Sequence, residues 1–123
     1  MMEESNFFEK LIENALKSNF MSLIILNEDQ IQRKFGLYQG IYKKVNGIDL
    51  LCTDGKKVLA IQAKLVSSPP KTKSIQDFYD TSLMIEQKIN VPIKKMFVTT
   101  HMPYSPGIEL CKYKNIEIIH HQN

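Results

Sequence analysis

The stretch GIDLLCTDGKKVLAIQAK, Gly47–Lys64, decides how the chain folds. Two apolar runs, GIDLLCT and KKVLAIQAKLV, flank Asp54-Gly55. Asp-Gly accepts the left-handed backbone of a tight hairpin turn, so the runs are expected to fold back as an antiparallel pair. Asp49 opens the first strand, and Gln62 and Lys64 close the second, so three polar groups meet at the open end. Neighbouring strands lie about 4.8 Å apart. Alternation puts Val58, Ala60, Gln62 and Lys64 on one face, and Leu59, Ile61 and Ala63 on the other. A carboxylate, an amide oxygen and an ammonium so placed suit a hard cation held by oxygen, with the lysine positioning a water and steadying negative charge. A polar strand end wetted by solvent would carry the same residues, and spacing alone does not separate the two readings.

Working outward, SNFFEKLIENALKSNF repeats Phe8, Leu11, Ile12, Ala15 and Leu16 at helical spacing, with Ser5 as its cap. MSLIIL (21–26) reads as a strand. NEDQIQRKFGLYQGIYKKVN (27–46) mixes helix-like and hairpin-like pieces and is taken as a variable insertion, a loop or short hairpin. Beyond Lys64, the two prolines of SSPPKTK exclude regular structure. Ser74 is expected to cap a helix carrying Ile75, Phe78, Tyr79, Leu83 and Met84. Lys95 to Thr99 reads as a strand, and SPGIELCKYKN as a helix capped by Ser105 with Pro106 at its first position. IEIIHH closes the series as a strand. The expected class is α/β, a mixed sheet flanked by helices in the order α-β-β-β-α-β-α-β. The hairpin is antiparallel, and the later alternation of helix and strand implies parallel neighbours.

With 123 residues, the chain is expected to form a single domain over 1–123. Its net charge of +3 is compatible with a polyanionic partner without demanding one. Cys52 and Cys111 stand far apart in apolar contexts, so buried, reduced thiols are expected rather than a metal site. No apolar run approaches the ~18–20 residues of a membrane span. MMEESNFF is acidic and lacks the shape of a signal peptide. The expected location is therefore the cytoplasm, without secretion. The closing His120-His121 pair makes a poor metal site by itself.

GIDLL…VLAIQAK resembles the core of the PD-(D/E)XK nuclease superfamily, the restriction-endonuclease-like fold. With glutamine where the usual acid stands, it looks like the Mrr-like branch, whose G-[IV]-D strand is followed by a Q-x-K strand. FFEKLIENALKSNF resembles that branch's opening helix, and IQDFYDTSL the helix after Q-x-K. MFVTTHMPYSPGIELCKYKNIEII resembles its T-T strand, aromatic-Ser turn, helix and final strand. The likeness covers 5–119 apart from 27–44. It implies a Mg²⁺-dependent endonuclease acting on DNA phosphodiester bonds, with Mn²⁺ as a substitute. By the same resemblance, Asp49, the Gln62 amide, the Ala63 backbone carbonyl and Glu9 would hold the metal. Lys64 would orient the attacking water and stabilise charge on the phosphate. The neutral Gln62 weakens metal binding relative to a carboxylate, but it is the habitual residue of the branch.

Further candidates for DNA contact surround this motif. Thr99, Thr100 and His101 end a strand at the same sheet end, although threonines there also cap turns. Gln76 falls in the first turn of a helix, where amides can meet a DNA backbone. Lys43 and Lys44, with Tyr38 and Tyr42, interleave bases and aromatics, although a plain sheet edge reads the same way. The expected activity is a stand-alone, junction-resolvase-like cutter, a homodimer that takes specificity from DNA shape or a separate partner. The rival is a fold kept for DNA or protein binding after its metal chemistry was lost.

Overall fold

The computed structural model describes residues 10, 12, 24–35, 38–39, 43–44, 48–53 and 57–121. Lys10 and Ile12 are helical, as the N-terminal pattern requires; the Ser5 cap lies outside the described residues. Strand β1 is Ile24–Asn27 and helix α1 is Glu28–Phe35. This helix corrects the reading of 27–46 as loop or hairpin alone. Its start is a reciprocal cap: Gln30 N–H donates to Asn27 Oδ1 at 3.0 Å, and Asn27 N–H donates to Gln30 Oε1 at 2.9 Å. The hairpin part of the expectation holds, because Tyr38–Gln39 (β2) and Lys43–Lys44 (β3) pair as a short antiparallel ribbon.

Strands Leu50–Thr53 (β4) and Val58–Lys64 (β5) form the expected antiparallel hairpin, in register from Leu50↔Ile61 to Thr53↔Val58. The turn residues Asp54, Gly55 and Lys56 lie outside the described residues. Helix α2, Thr72–Ile89, begins earlier than expected. Lys71 is its N-cap and makes no side-chain cap bond, while Ser74 sits inside the first turn with its N–H on the Lys71 carbonyl at 3.0 Å. Pro69 and Pro70 hold the chain extended, and helical geometry starts as soon as they are passed. Strand β6 is Ile93–Thr99, helix α3 is Ser105–Tyr113 and strand β7 is Ile116–His120. Tyr104, not Ser105, is the N-cap of α3.

The five-stranded sheet runs β1-β4-β5-β6-β7. Strands β1, β4 and β5 pair antiparallel, while β5, β6 and β7 pair parallel. Strand β5 is thus the hinge between the two halves. The sheet is apolar on both faces. One face packs Leu51, Ala60 and Phe97 under Ile75, Phe78 and Ile85 of α2, Cys111 of α3 and Ile31 of α1. The other gathers Leu50, Cys52, Ile61 and Val98, with Ile12 of the N-terminal helix against them. Both cysteines are buried thiols, as expected, and burial pushes Cys111 up to about 11, so it stays protonated and inert near neutral pH.

Candidate active site

Strand β5 carries Gln62, Ala63 and Lys64 past the end of its ladder with β4, which stops at Leu50↔Ile61. Asp49 fills the space this leaves. Its backbone N–H donates to the Ile61 carbonyl at 2.9 Å, and its Oδ2 accepts the Ala63 N–H at 2.8 Å. The carboxylate stands where a further strand residue would, and it replaces a ladder hydrogen bond. A strand residue directs its N–H and C=O to the same side. The Ala63 carbonyl therefore points toward Asp49, the side on which the resemblance requires it. Gln62 is only 6% exposed, an amide inside the sheet end, beside Phe97 in the register of β6. Lys64 follows on the same face, half-buried. The structure thus brings together Asp49, Gln62, Ala63 and Lys64. Glu9 lies outside the described residues.

Thr100 fixes the strand end from the other side. Its N–H donates to the Lys64 carbonyl at 3.1 Å, and its hydroxyl accepts the Val66 N–H and donates to the Val66 carbonyl, both at 2.9 Å. One side chain so pins the chain just beyond Lys64. Thr100→Val keeps the shape and removes the hydroxyl. It is expected to cost about 1–2 kcal/mol, because the Val66 N–H and carbonyl both lose their partner; urea denaturation checks it. Thr99 is fully buried, its hydroxyl donating to the His101 carbonyl at 2.8 Å and accepting the His101 N–H at 3.2 Å. Both threonine hydroxyls are thus engaged in building the turn. Gln76 gives its amide to Asp80 at 2.8 Å on the surface of α2. Lys43 and Lys44 belong to the β2–β3 ribbon, separate from the five-stranded sheet; Tyr42 lies outside the described residues.

One residue escaped the sequence reading. His120 pairs with Thr99, and Thr99 with Lys64, so the three stand abreast across β7, β6 and β5. Nothing in the local pattern HHQN signals this; only the parallel register does. All of these groups lie at the C-terminal ends of the parallel strands, where ligands collect in open α/β sheets. A cavity of about 650 Å³, lined by Lys57, Lys94, Lys95 and Glu117 among others, lies at the opposite end and holds none of them.

The donor set fits a small hard cation in part. Asp49 contributes a carboxylate, and Gln62 and Ala63 contribute neutral oxygens. Among the described residues no three His, Cys, Asp or Glu side chains cluster as a metal site. Such a set suits an ion that keeps several of its waters, as Mg²⁺ does. No helix among the described residues is long and apolar enough to cross a membrane.

The fold is that of solved repair endonucleases. A repair endonuclease from Pyrococcus abyssi superposes with a TM-score of 0.64 at 10% identity, covering 99% of this chain and 49% of that one. EndoMS in a complex with dsDNA superposes with a TM-score of 0.65 at 10% identity, covering 99% of this chain and 46% of that one. This chain spans about half the length of those structures. No protein-family model and no curated protein matches the sequence. At such identity the likeness is one of fold: a mixed, helix-flanked sheet shared with enzymes that cut DNA.

Proposed function

We propose that the chain is a metal-dependent endonuclease that hydrolyses DNA phosphodiester bonds. One observation carries the reading: the Asp49 carboxylate bonded to the Ala63 N–H at 2.8 Å, which gathers carboxylate, amide, peptide carbonyl and lysine at one sheet end. The nuclease fold of the structural neighbours supports it. Asp49, Gln62 and the Ala63 carbonyl would hold Mg²⁺ or Mn²⁺, with Glu9 completing the set as in the Mrr-like branch. When bound there, the ion would supply Lewis-acid stabilisation of a phosphate bearing extra negative charge. The chain's own residues do the rest. The Lys64 ammonium would face the phosphate, orient the attacking water by hydrogen bonding and offset charge on the non-bridging oxygens. Thr100 holds the Lys64 backbone so that this ammonium starts from a fixed point. Two copies acting together would address two strands, which suits a branched junction.

Cleavage of supercoiled, linear and four-way-junction DNA, with Mg²⁺, Mn²⁺ or EDTA, tests the reading. Cutting with either metal and none in EDTA supports it, and the preferred DNA names the task. Tight DNA binding with no cutting in any metal overturns it in favour of a binding module that has lost its chemistry.

The neutral amide at 62 makes a further result expected. Gln62→Glu adds a second carboxylate beside Asp49, so half-maximal cleavage should need about tenfold less Mg²⁺. Without metal, the two carboxylates repel, and the variant should unfold at a lower temperature than the wild type, with added Mg²⁺ closing the gap. Mg²⁺ titration of the rate and thermal unfolding with and without Mg²⁺ check the two halves.

A further inference from the structure

We infer that His120 is a contact for the DNA backbone beside the scissile phosphate. The inference deepens the nuclease reading and rests on it.

The chain has three histidines, and all of them gather at the sheet end that holds Lys64. His101 follows the end of β6 by two residues, His120 ends β7, and the His121 N–H donates to the Thr99 carbonyl at 2.9 Å. All three are exposed. His120 is the one tied to the reaction centre. In the sheet register Lys64, Thr99 and His120 stand side by side. Parallel strands in register direct paired side chains to one face, so His120 rises from the same face as Lys64, two strand spacings or about 10 Å away. Between them stands Thr99, fully buried and short, with its hydroxyl turned to the His101 backbone.

A second observation joins the two residues. The Thr100 N–H donates to the Lys64 carbonyl at 3.1 Å, and the Thr100 carbonyl meets His120 Nε2 at 3.2 Å. One residue therefore sets both the backbone under Lys64 and the ring of His120. A carbonyl can only accept, so Nε2 carries the hydrogen in this contact. The second ring nitrogen, Nδ1, can donate to an oxygen of the DNA backbone only when it too carries a hydrogen, so the contact is one made by the imidazolium. A DNA strand whose scissile phosphate sits at Lys64 would pass along this sheet end and present a neighbouring phosphate or sugar to the exposed ring. The sugar and phosphate oxygens are the groups that positioning contacts use, and they carry no base sequence. His120 would then fix the register of the strand over Lys64 and leave the chemistry to Lys64 and Asp49.

The test separates binding from cutting. Dissociation constants for a junction and a duplex are measured in EDTA, and KM and kcat in Mg²⁺. His120→Ala and His120→Phe should each raise Kd and KM about tenfold with kcat within about twofold. His120→Gln, whose amide can meet both the Thr100 carbonyl and a backbone oxygen, should recover most of the loss. Unchanged Kd and KM in the Ala and Phe variants would sink the inference and reduce His120 to a latch on the β7 end. A fall in kcat at unchanged Kd would overturn it too, since His120 would then act in the chemical step. If the wild type binds DNA in EDTA but never cuts it, only the nuclease reading fails, and the EDTA constants still decide the contact. If it binds no DNA at all, both fail.

Discussion

Lys64→Ala is expected to lower the rate of DNA cleavage about 10³-fold while leaving DNA affinity in EDTA within a few-fold. The size of the loss follows from where the ammonium stands. Lys64 is half-buried at the end of β5 and its backbone carbonyl accepts the Thr100 N–H at 3.1 Å, so the side chain springs from a fixed backbone. A donor placed in this way acts mainly on the charge that develops in the transition state. Its removal therefore appears in kcat and not in ground-state binding. Lys64→Arg tests the geometry: a guanidinium keeps the charge but is planar and forked, and it is expected to restore only a small part of the rate. Single-turnover kinetics at saturating protein separate these outcomes. A Lys64→Ala enzyme that cuts at the wild-type rate would remove Lys64 from the mechanism and with it the main support for Asp49 and Gln62 as its partners.

Phe97→Ala is expected to cost about 3–5 kcal/mol of stability, enough to unfold much of a marginally stable domain. Phe97 is fully buried in the middle of β6 and meets Phe78 of α2 at 6.1 Å between ring centroids, at 58° between planes. Removing the ring opens a cavity against a helix that cannot collapse into it without leaving Ile75 and Ile85. The effect also reaches the site, because Phe97 pairs with Gln62 in the register. The surviving folded fraction should bind Mg²⁺ more weakly than the wild type. Phe97→Leu retains most of the volume and should cost about 1–2 kcal/mol with little change in metal affinity. Chemical denaturation gives the first quantity and metal titration the second.

The central hairpin was legible because its turn, its alternation and its polar end all agree within eighteen adjacent letters, Gly47–Lys64. The parallel crossovers were legible from helices placed between strands. Asp49 and Lys64 could be paired from the sequence because a hairpin carries its own register. His120 could not, since its neighbour Thr99 lies across a parallel pairing that no local pattern encodes. The missed α1 had a signal that went unread: Asn27 followed three residues later by Gln30 is a capping box, with Asn in place of the usual Ser or Thr. Ser74 misled for the opposite reason. It has the right side chain for a cap, but the backbone is already released for helix once Pro70 is passed.

The position of β5, antiparallel to one neighbour and parallel to the other, orders how the site comes into being. The β4–β5 pairing joins residues close in sequence, such as Thr53 and Val58, and closes a short loop. The β5–β6 pairing joins Val58 to Ile93 and waits for the whole of α2 to form and dock between them. Chain entropy favours the short closure, and non-local strand pairing is the slow event in folding. Asp49, Gln62 and Ala63 therefore belong to the early, local piece of the nascent fold, whereas Thr100 and His120 arrive with the late half. On this order, the arm that carries the carboxylate and the amide is assembled before the arm that carries the threonine and the imidazole.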